Sequence, residues 1–311
     1  MKQVSTSVSD KEAKMKVTNE LGLPEPFVKA VQTERHNQPG CYSATTLLKG
    51  IKEIQLTDRH YDELSIDASD SVFQIWGTAV HSIFENIDGD NCFKEEKFAT
   101  EIDGITITGT ADCYDLEKSL LVDWKTCSSW KIINRDFADW KRQGQIYSYL
   151  MKKAGLEVKR VQFIALIKDH SKTKAKTDKD YPKSPVYVFS FDITSKDLFE
   201  TELYIRTRIR GIKNSMDLSD DEIEACTADE RWEDSSKFAC MKTGRKSAIK
   251  LFDSKEDCEK FVKEKGSGHY LEERPSLARK CSDYCICKEF CNFYKENVCK
   301  AEQTAEEIKA A

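Results

Sequence analysis

Apolar positions change their period several times along this chain, and each change marks an expected element. From "SATTLLKGIKEIQLTDRHYDEL" apolar residues recur at helical spacing, with Ser43 in the N-cap position. A second helical pattern follows in "SDSVFQIWGTAVHSIFENI", which places Val72, Ile75, Trp76, Ala79, Val80 and Ile83 on one face. The period then drops to two in "EEKFATEI", "GITITGTADCYDL" and "SLLVDWKT", three strands of an antiparallel meander. "DFADWKRQGQIYSYLMKKAG" returns to helical spacing and closes at Gly155, and "VKRVQFIALI" is again a strand, giving a β-α-β unit. "YPKSPVYVFSFDI" adds a strand, residues 195–213 a charged helix, and "KTGRKSAIKLF" a basic segment. The expected class is α/β, a mixed sheet of α+β character flanked by helices.

Four parts are expected. Residues 1–38 form a flexible N-terminal arm and 39–215 the core; 216–294 are a cysteine-rich segment closing on that core, and 295–311 a tail with a frayed helix in "KAEQTAEEIKAA". A 311-residue chain with 39% hydrophobic and 33% charged residues can bury a sizeable core. No apolar run approaches the length of a membrane span and the first residues lack a signal-peptide core, so a cytoplasmic location is expected. In a reducing compartment the twelve cysteines, five of them within 281–299, point to metal binding or burial rather than disulfides. The net charge of −5 means that any nucleic acid must be met by local basic patches.

Chemistry concentrates in the meander. Alternation puts Asp123 and Lys125 on one face of "LLVDWKTC". If the preceding turn is centred on Glu117–Lys118, Asp112 lies opposite Asp123. Facing carboxylates with Cβ atoms about 4.5 to 5.5 Å apart repel, so a shifted pKa, the lysine or a divalent cation must offset the repulsion. Two carboxylates holding a hard cation beside a lysine suit metal-assisted phosphodiester hydrolysis. The plainer reading is a surface hairpin with solvated charges. His81 and Glu85 stand one helical turn apart, as do Gln143 and Tyr147. Alone, His81 is more often an ordinary core or surface histidine, and Glu95 and Glu96, candidates for a further carboxylate, more often a solvated strand end.

The order His, G-x-x-D, D-x-K, Q-x-x-x-Y resembles the RecB-like branch of the PD-(D/E)XK nucleases, with its restriction-endonuclease-like core. The resemblance covers about residues 41–167, and the family's early "PD" is "TAD" here. It implies metal ligation by His81, Asp112, Asp123 and the backbone carbonyl of Trp124, with Lys125 as catalytic lysine. Gln143 and Tyr147 would shape the site around the DNA backbone, although Gln145 and Tyr149 share the same spacing. It also implies a Mg2+- or Mn2+-dependent deoxyribonuclease, an exonuclease acting at DNA ends. The alternative is a catalytically silent DNA-binding or recombination adaptor on the same fold.

In "KCSDYCICKEFCNFY", Cys281, Cys285 and Cys291 stand at C-x3-C-x5-C with Cys287 between them, a density of soft thiols that reads as zinc or iron–sulfur. Several RecB-like nucleases, the AddB helicase-nucleases and CRISPR-associated exonucleases among them, carry a 4Fe-4S cluster on a C-terminal group of this kind, usually spaced C-x2-C-x5-C. "DASDSVFQIWGTAVHSIFE", "CTADERW" and "MKTGRKSA" are similar to a phage-borne group of these nucleases. That similarity implies Cys226 as the fourth ligand, with Cys41 the alternative, and phage recombination or replication proteins as partners besides DNA. Structural Zn2+ is the other occupant. "KDHSKTKAKTDKDYPK" and "KTGRKSAIK" are the richest sources of phosphate contacts, and Trp130 and Tyr181 could stack on bases, though burial is the plainer reading.

Overall fold

The computed structural model describes residues 15–32, 40–87, 92–274 and 276–300. They fall into two units. Residues up to Lys49 with Thr57–Asp217 make the first, and Gly50–Leu56 with the chain from Leu218 onward the second.

In chain order the first unit opens with β1 (Lys16–Thr18), α1 (Glu25–Val31) and β2 (Cys41–Ser43), followed by the helix α2 (Ile51–Arg59), whose first residues belong to the second unit. Then come β3 (Ser65–Asp67), α3 (Val72–Glu85), β4 (Cys92–Ile102), β5 (Ile105–Asp115) and β6 (Leu120–Cys127). The unit closes with α4 (Ser129–Ile133), α5 (Ala138–Lys153), β7 (Arg160–Ile167), α6 (Lys172–Thr177), β8 (Val186–Asp192) and α7 (Ser195–Ser215). Its main sheet has six strands in the order β2-β5-β6-β7-β8, with β4 also paired to β5. The β4–β5, β5–β6 and β7–β8 pairs are antiparallel, and β2–β5 and β6–β7 are parallel. The sheet is therefore mixed, as its alternating segments imply.

Two turns set the register. Asp103 and Gly104, both left-handed at φ +52° and +76°, make the two-residue β4–β5 turn, a conformation that asks for glycine or a short polar residue at each place. The β5–β6 ladder is centred on Glu117–Lys118, pairing Cys113 with Val122 and Tyr114 with Leu121. α5 then packs on the sheet through Trp140, Ile146, Tyr147, Leu150 and Met151. Gly109 of β5 makes this possible: a Cβ there would lie 2.7 Å from the Tyr147 ring.

Two expectations are corrected. Ser43 does not cap a long helix. It ends β2, which pairs with β5 (Ser43 with Thr108), and its hydroxyl accepts the Thr46 N–H at 3.1 Å before the helix begins at Ile51. A parallel partner sixty-odd residues away leaves no local periodicity, so the strand read as helix. On α3, Trp76 and Ile83 of the apolar stripe are exposed, together with Phe73, and no α3 residue is fully buried. Inside the supposed loose arm, β1 pairs in parallel with β3, and α1 starts after Pro24 with Pro26 in its first turn.

The second unit adds β9 (Lys237–Lys242), β10 (Lys250–Phe252), α8 (Lys255–Lys265) and β11 (His269–Arg274), the strands forming an antiparallel sheet in the order β10-β9-β11. Cys240 and Cys258 are fully buried there, small apolar residues in effect. Further on, Ala278, Tyr294 and Val298 form a small core with Cys281, Cys291 and Cys299 packed against it. The helix expected in "KAEQTAEEIKAA" lies outside the described residues from 301 onward. Among the described residues, no helix is long and apolar enough to cross a membrane.

Candidate metal centre and cysteine cavity

Both ladders of β5 break at Asp112. On the β4 side pairing stops at Lys94–Cys113 and resumes at Glu96–Ala111, so Glu95, left-handed at φ +49°, stands opposite Asp112 without a ladder bond. On the β6 side the ladder ends at Cys113–Val122, one step before Asp112 and Asp123. The Asp112 carboxylate takes up the freed donor, accepting the Trp124 N–H at 2.8 Å. α3 brings His81 over this point, anchored by Phe84 stacked on Trp124 with centroids 4.1 Å apart. His81 Nδ1 lies 3.3 Å from Asp112 Oδ2 and 3.9 Å from Glu95 Oε1. The ligand-type atoms of His81, Glu95 and Asp112 all lie within 4.8 Å of one another.

Asp123 stands outside that trio. It is 1% exposed, and its Oδ1 is 2.6 Å from Lys125 Nζ, yet that oxygen makes no hydrogen bond of good angle. Burial pushes its carboxyl up to about 6, against the pull of Lys125. Burial and the Asp112 charge raise Glu95, and the contact with Asp112 raises His81. Crowded carboxylates with raised pKa values and an under-satisfied buried oxygen are the electrostatic mark of a cation site, and hard oxygen donors with one imidazole fit Mg2+ or Mn2+.

α5 contributes Gln143 and Tyr147, both buried, with Gln143 Nε2 donating to the Tyr147 hydroxyl at 2.8 Å. Tyr147 is raised by burial and by the Asp123 charge, and its ring lies over Gly109 of β5, the strand that carries Asp112. Gln145 instead donates to Asp197 at 3.2 Å, and Tyr149 feels Glu202 and Arg206, so the rival pair belongs to the α7 side of the helix. Glu96 is exposed and pairs with Ala111. Glu95 was the residue the sequence undervalued. The signal was present in "EIDGITI": an Asp-Gly two-residue turn fixes Glu95 opposite Asp112 by the same reasoning applied to Asp123. Trp130 is 65% exposed, whereas Tyr181 is buried, accepting the Ser171 N–H and donating to the Asp169 carbonyl.

In the second unit, Cys226, Cys281, Cys285, Cys287 and Cys291 line one small cavity with Lys52, Glu53, Leu56, Arg231 and Phe293. Cys285 and Cys287 have sulfurs 3.6 Å apart. Around them Lys280 pairs with the buried Glu53 at 2.6 Å, and Lys52 donates to the Ile223 carbonyl and Asn292. Burial and the neighbouring thiols push Cys281 up to about 12, and burial pushes Cys226 up to about 11. Thiols gathered in this way fit a soft metal centre, which would hold them as thiolates. Cys41 stands on β2 in the first unit.

No family model and no curated protein matches the chain. Among solved structures, SSO0001 aligns with TM-score 0.41 at 18% identity over 59% of this chain and 81% of its own. An alkaline exonuclease (LHK-Exo) from Laribacter hongkongensis aligns with TM-score 0.35 at 10% identity, covering 57% and 90%. A phage-related exonuclease from Haemophilus somnus 129PT aligns with TM-score 0.28 at 13% identity, covering 52% and 71%. Scores and identities this low assign neither a fold family nor an activity.

Proposed function

We propose that the chain is a Mg2+- or Mn2+-dependent DNA nuclease, an exonuclease that hydrolyses phosphodiester bonds at DNA ends in phage recombination, replication or repair. The observation that carries this reading is the gathering of His81, Glu95 and Asp112 donor atoms within 4.8 Å, beside the Asp123–Lys125 pair. His81, Glu95 and Asp112 would hold the cation, with Asp123 an adjoining carboxylate. When bound, it would acidify water and neutralise charge developing on the phosphate.

The chain's own residues divide the remaining work. Asp123 lies 2.6 Å from the Lys125 ammonium, which would orient the attacking water. The Trp124 N–H fixes the Asp112 carboxylate through Oδ2, the same oxygen that lies 3.3 Å from His81 Nδ1. Gln143 and Tyr147 close the α5 side and position the scissile backbone. The exposed Trp130 offers a stacking face for an unpaired base, and Lys172, Lys174 and Lys176 of α6 offer phosphate contacts. The cysteine cavity would hold a 4Fe-4S cluster through Cys226, Cys281, Cys285 and Cys291, with structural Zn2+ the competing occupant.

The test is a time course on end-labelled linear and closed circular DNA with Mn2+ or Mg2+. Linear DNA is expected to shorten from its ends while circles persist. Asp123→Asn and Lys125→Ala should each slow cleavage by about 10²- to 10⁴-fold. Cleavage unchanged in both variants overturns the site, and linearised circles replace the exonuclease reading with an endonuclease.

A further inference from the structure

Five thiols line the cysteine cavity, one more than a four-ligand centre uses. Their spacing is uneven. Cys285 and Cys287 sulfurs lie 3.6 Å apart. Two thiolates on one tetrahedral metal atom, with bonds of about 2.3 Å, are about 3.8 Å apart, so this pair has the spacing of two ligands competing for a single atom. No third thiol joins them: among the described residues, the one group of three or more such donors within 4.8 Å is His81, Glu95 and Asp112.

A compact four-cysteine zinc site needs every sulfur about 3.8 Å from the others. A 4Fe-4S cubane binds one thiolate on each of four irons, at separated corners. Five lining thiols with one close pair, and no third thiol within 4.8 Å of both its members, match four corners of which one is supplied twice. Cys287 is wholly buried, and its sulfur lies 3.8 Å from the Glu53 carbonyl oxygen as well as beside Cys285, so it is held at the cavity wall rather than turned to solvent.

Resting on the cluster reading given above, we infer that Cys285 and Cys287 are interchangeable ligands of one corner, so that either thiolate completes a set otherwise made by Cys226, Cys281 and Cys291. The centre then survives loss of one thiol at that corner and at no other.

The experiment measures iron per chain and absorbance near about 400 nm in anaerobically purified full-length protein, with far-UV circular dichroism to verify folding. Cys285→Ser and Cys287→Ser should each keep most of the iron and the absorbance. The double variant should lose both, as should Cys226→Ser, Cys281→Ser and Cys291→Ser singly. Loss of iron from Cys285→Ser or from Cys287→Ser alone, with wild type iron-loaded, overturns the interchange and leaves the cluster standing. Retention in the double variant overturns it too. Wild-type protein holding one zinc and no iron overturns the cluster reading itself, and the inference with it. If a Ser variant fails to fold, the matching Ala variant is scored in its place.

Discussion

The acid cluster of the first unit and the thiol cavity of the second are both gatherings of ligand-type side chains, but their donor atoms differ. His81 and Glu95, about one-third exposed, join the buried Asp112 in offering nitrogen and oxygen, while the cavity offers sulfurs, Cys287 wholly buried and Cys226, Cys281, Cys285 and Cys291 partly so. Hard donors left partly open suit a cation that exchanges and keeps room for water and substrate. Soft thiolate donors suit a centre that stays put. Chelation should therefore separate the two. EDTA is expected to abolish DNA cleavage, and added Mn2+ or Mg2+ to restore it, with the absorbance of the cysteine centre unchanged throughout. Loss of both signals together, or of neither, would break the comparison.

That contrast was partly legible in the residues themselves. The β5–β6 register followed from the turn centre, because a strand's side-chain period of two fixes what faces what once a turn is placed. α5 and its Gln143–Tyr147 pair followed from helical spacing, but which of two equally spaced pairs faces the acids depends on the helix's rotation on the sheet, and Gly109 sets that through packing. β2 eluded the pattern because its partner is distant and parallel. The β9-β10-β11 sheet did so because its strands are short and heavily charged, so "KTGRKSAIKLF" read as a basic patch although its end is β10. Glu95 was undervalued because its role comes from an interrupted ladder and a left-handed backbone, neither of which has a compositional signature.

Gly109→Ala sharpens the comparison from the packing side. The new methyl would meet the Tyr147 ring at 2.7 Å and Leu150 at 2.9 Å, so α5 must move away from the sheet and carry Gln143 and Tyr147 with it. Overpacking of this kind costs about 1–3 kcal/mol. Cleavage should fall further than the loss of folded protein explains, while iron content holds. Urea unfolding measured beside initial cleavage rates would show it, and wild-type rates at reduced stability would detach α5 from the site.

Metal-free Asp123 and Asp67 titrate in opposite directions. Asp123 is raised to about 6 by burial, so the folded state holds its proton more tightly, and stability should decline as pH rises from the ordinary carboxylate range through that value. Mn2+ should reverse the decline, since it binds the ionised forms.

Asp67 gives the smallest effect. At the end of β3, its carboxylate accepts the N–H groups of Glu20 and Ser69, each at 2.9 Å, and the hydroxyls of Ser69 and Thr18. The Glu20 N–H, followed by the Ser69 contacts, holds it well below the usual carboxylate range. Its contribution is present above the unfolded pKa and is lost as pH falls through the folded one. Because the carboxylate stands at the protein surface, solvent screening keeps that contribution small. Asp67→Asn should thus lower Tm slightly at pH 7, and the gap to wild type should close in strong acid. The aspartate also caps the short turn that leads into α3, so the same substitution should loosen His81 and weaken Mn2+ binding measurably. Melting curves at both pH values with a Mn2+ titration would test this, and a gap that widens in acid would reverse the assigned sign.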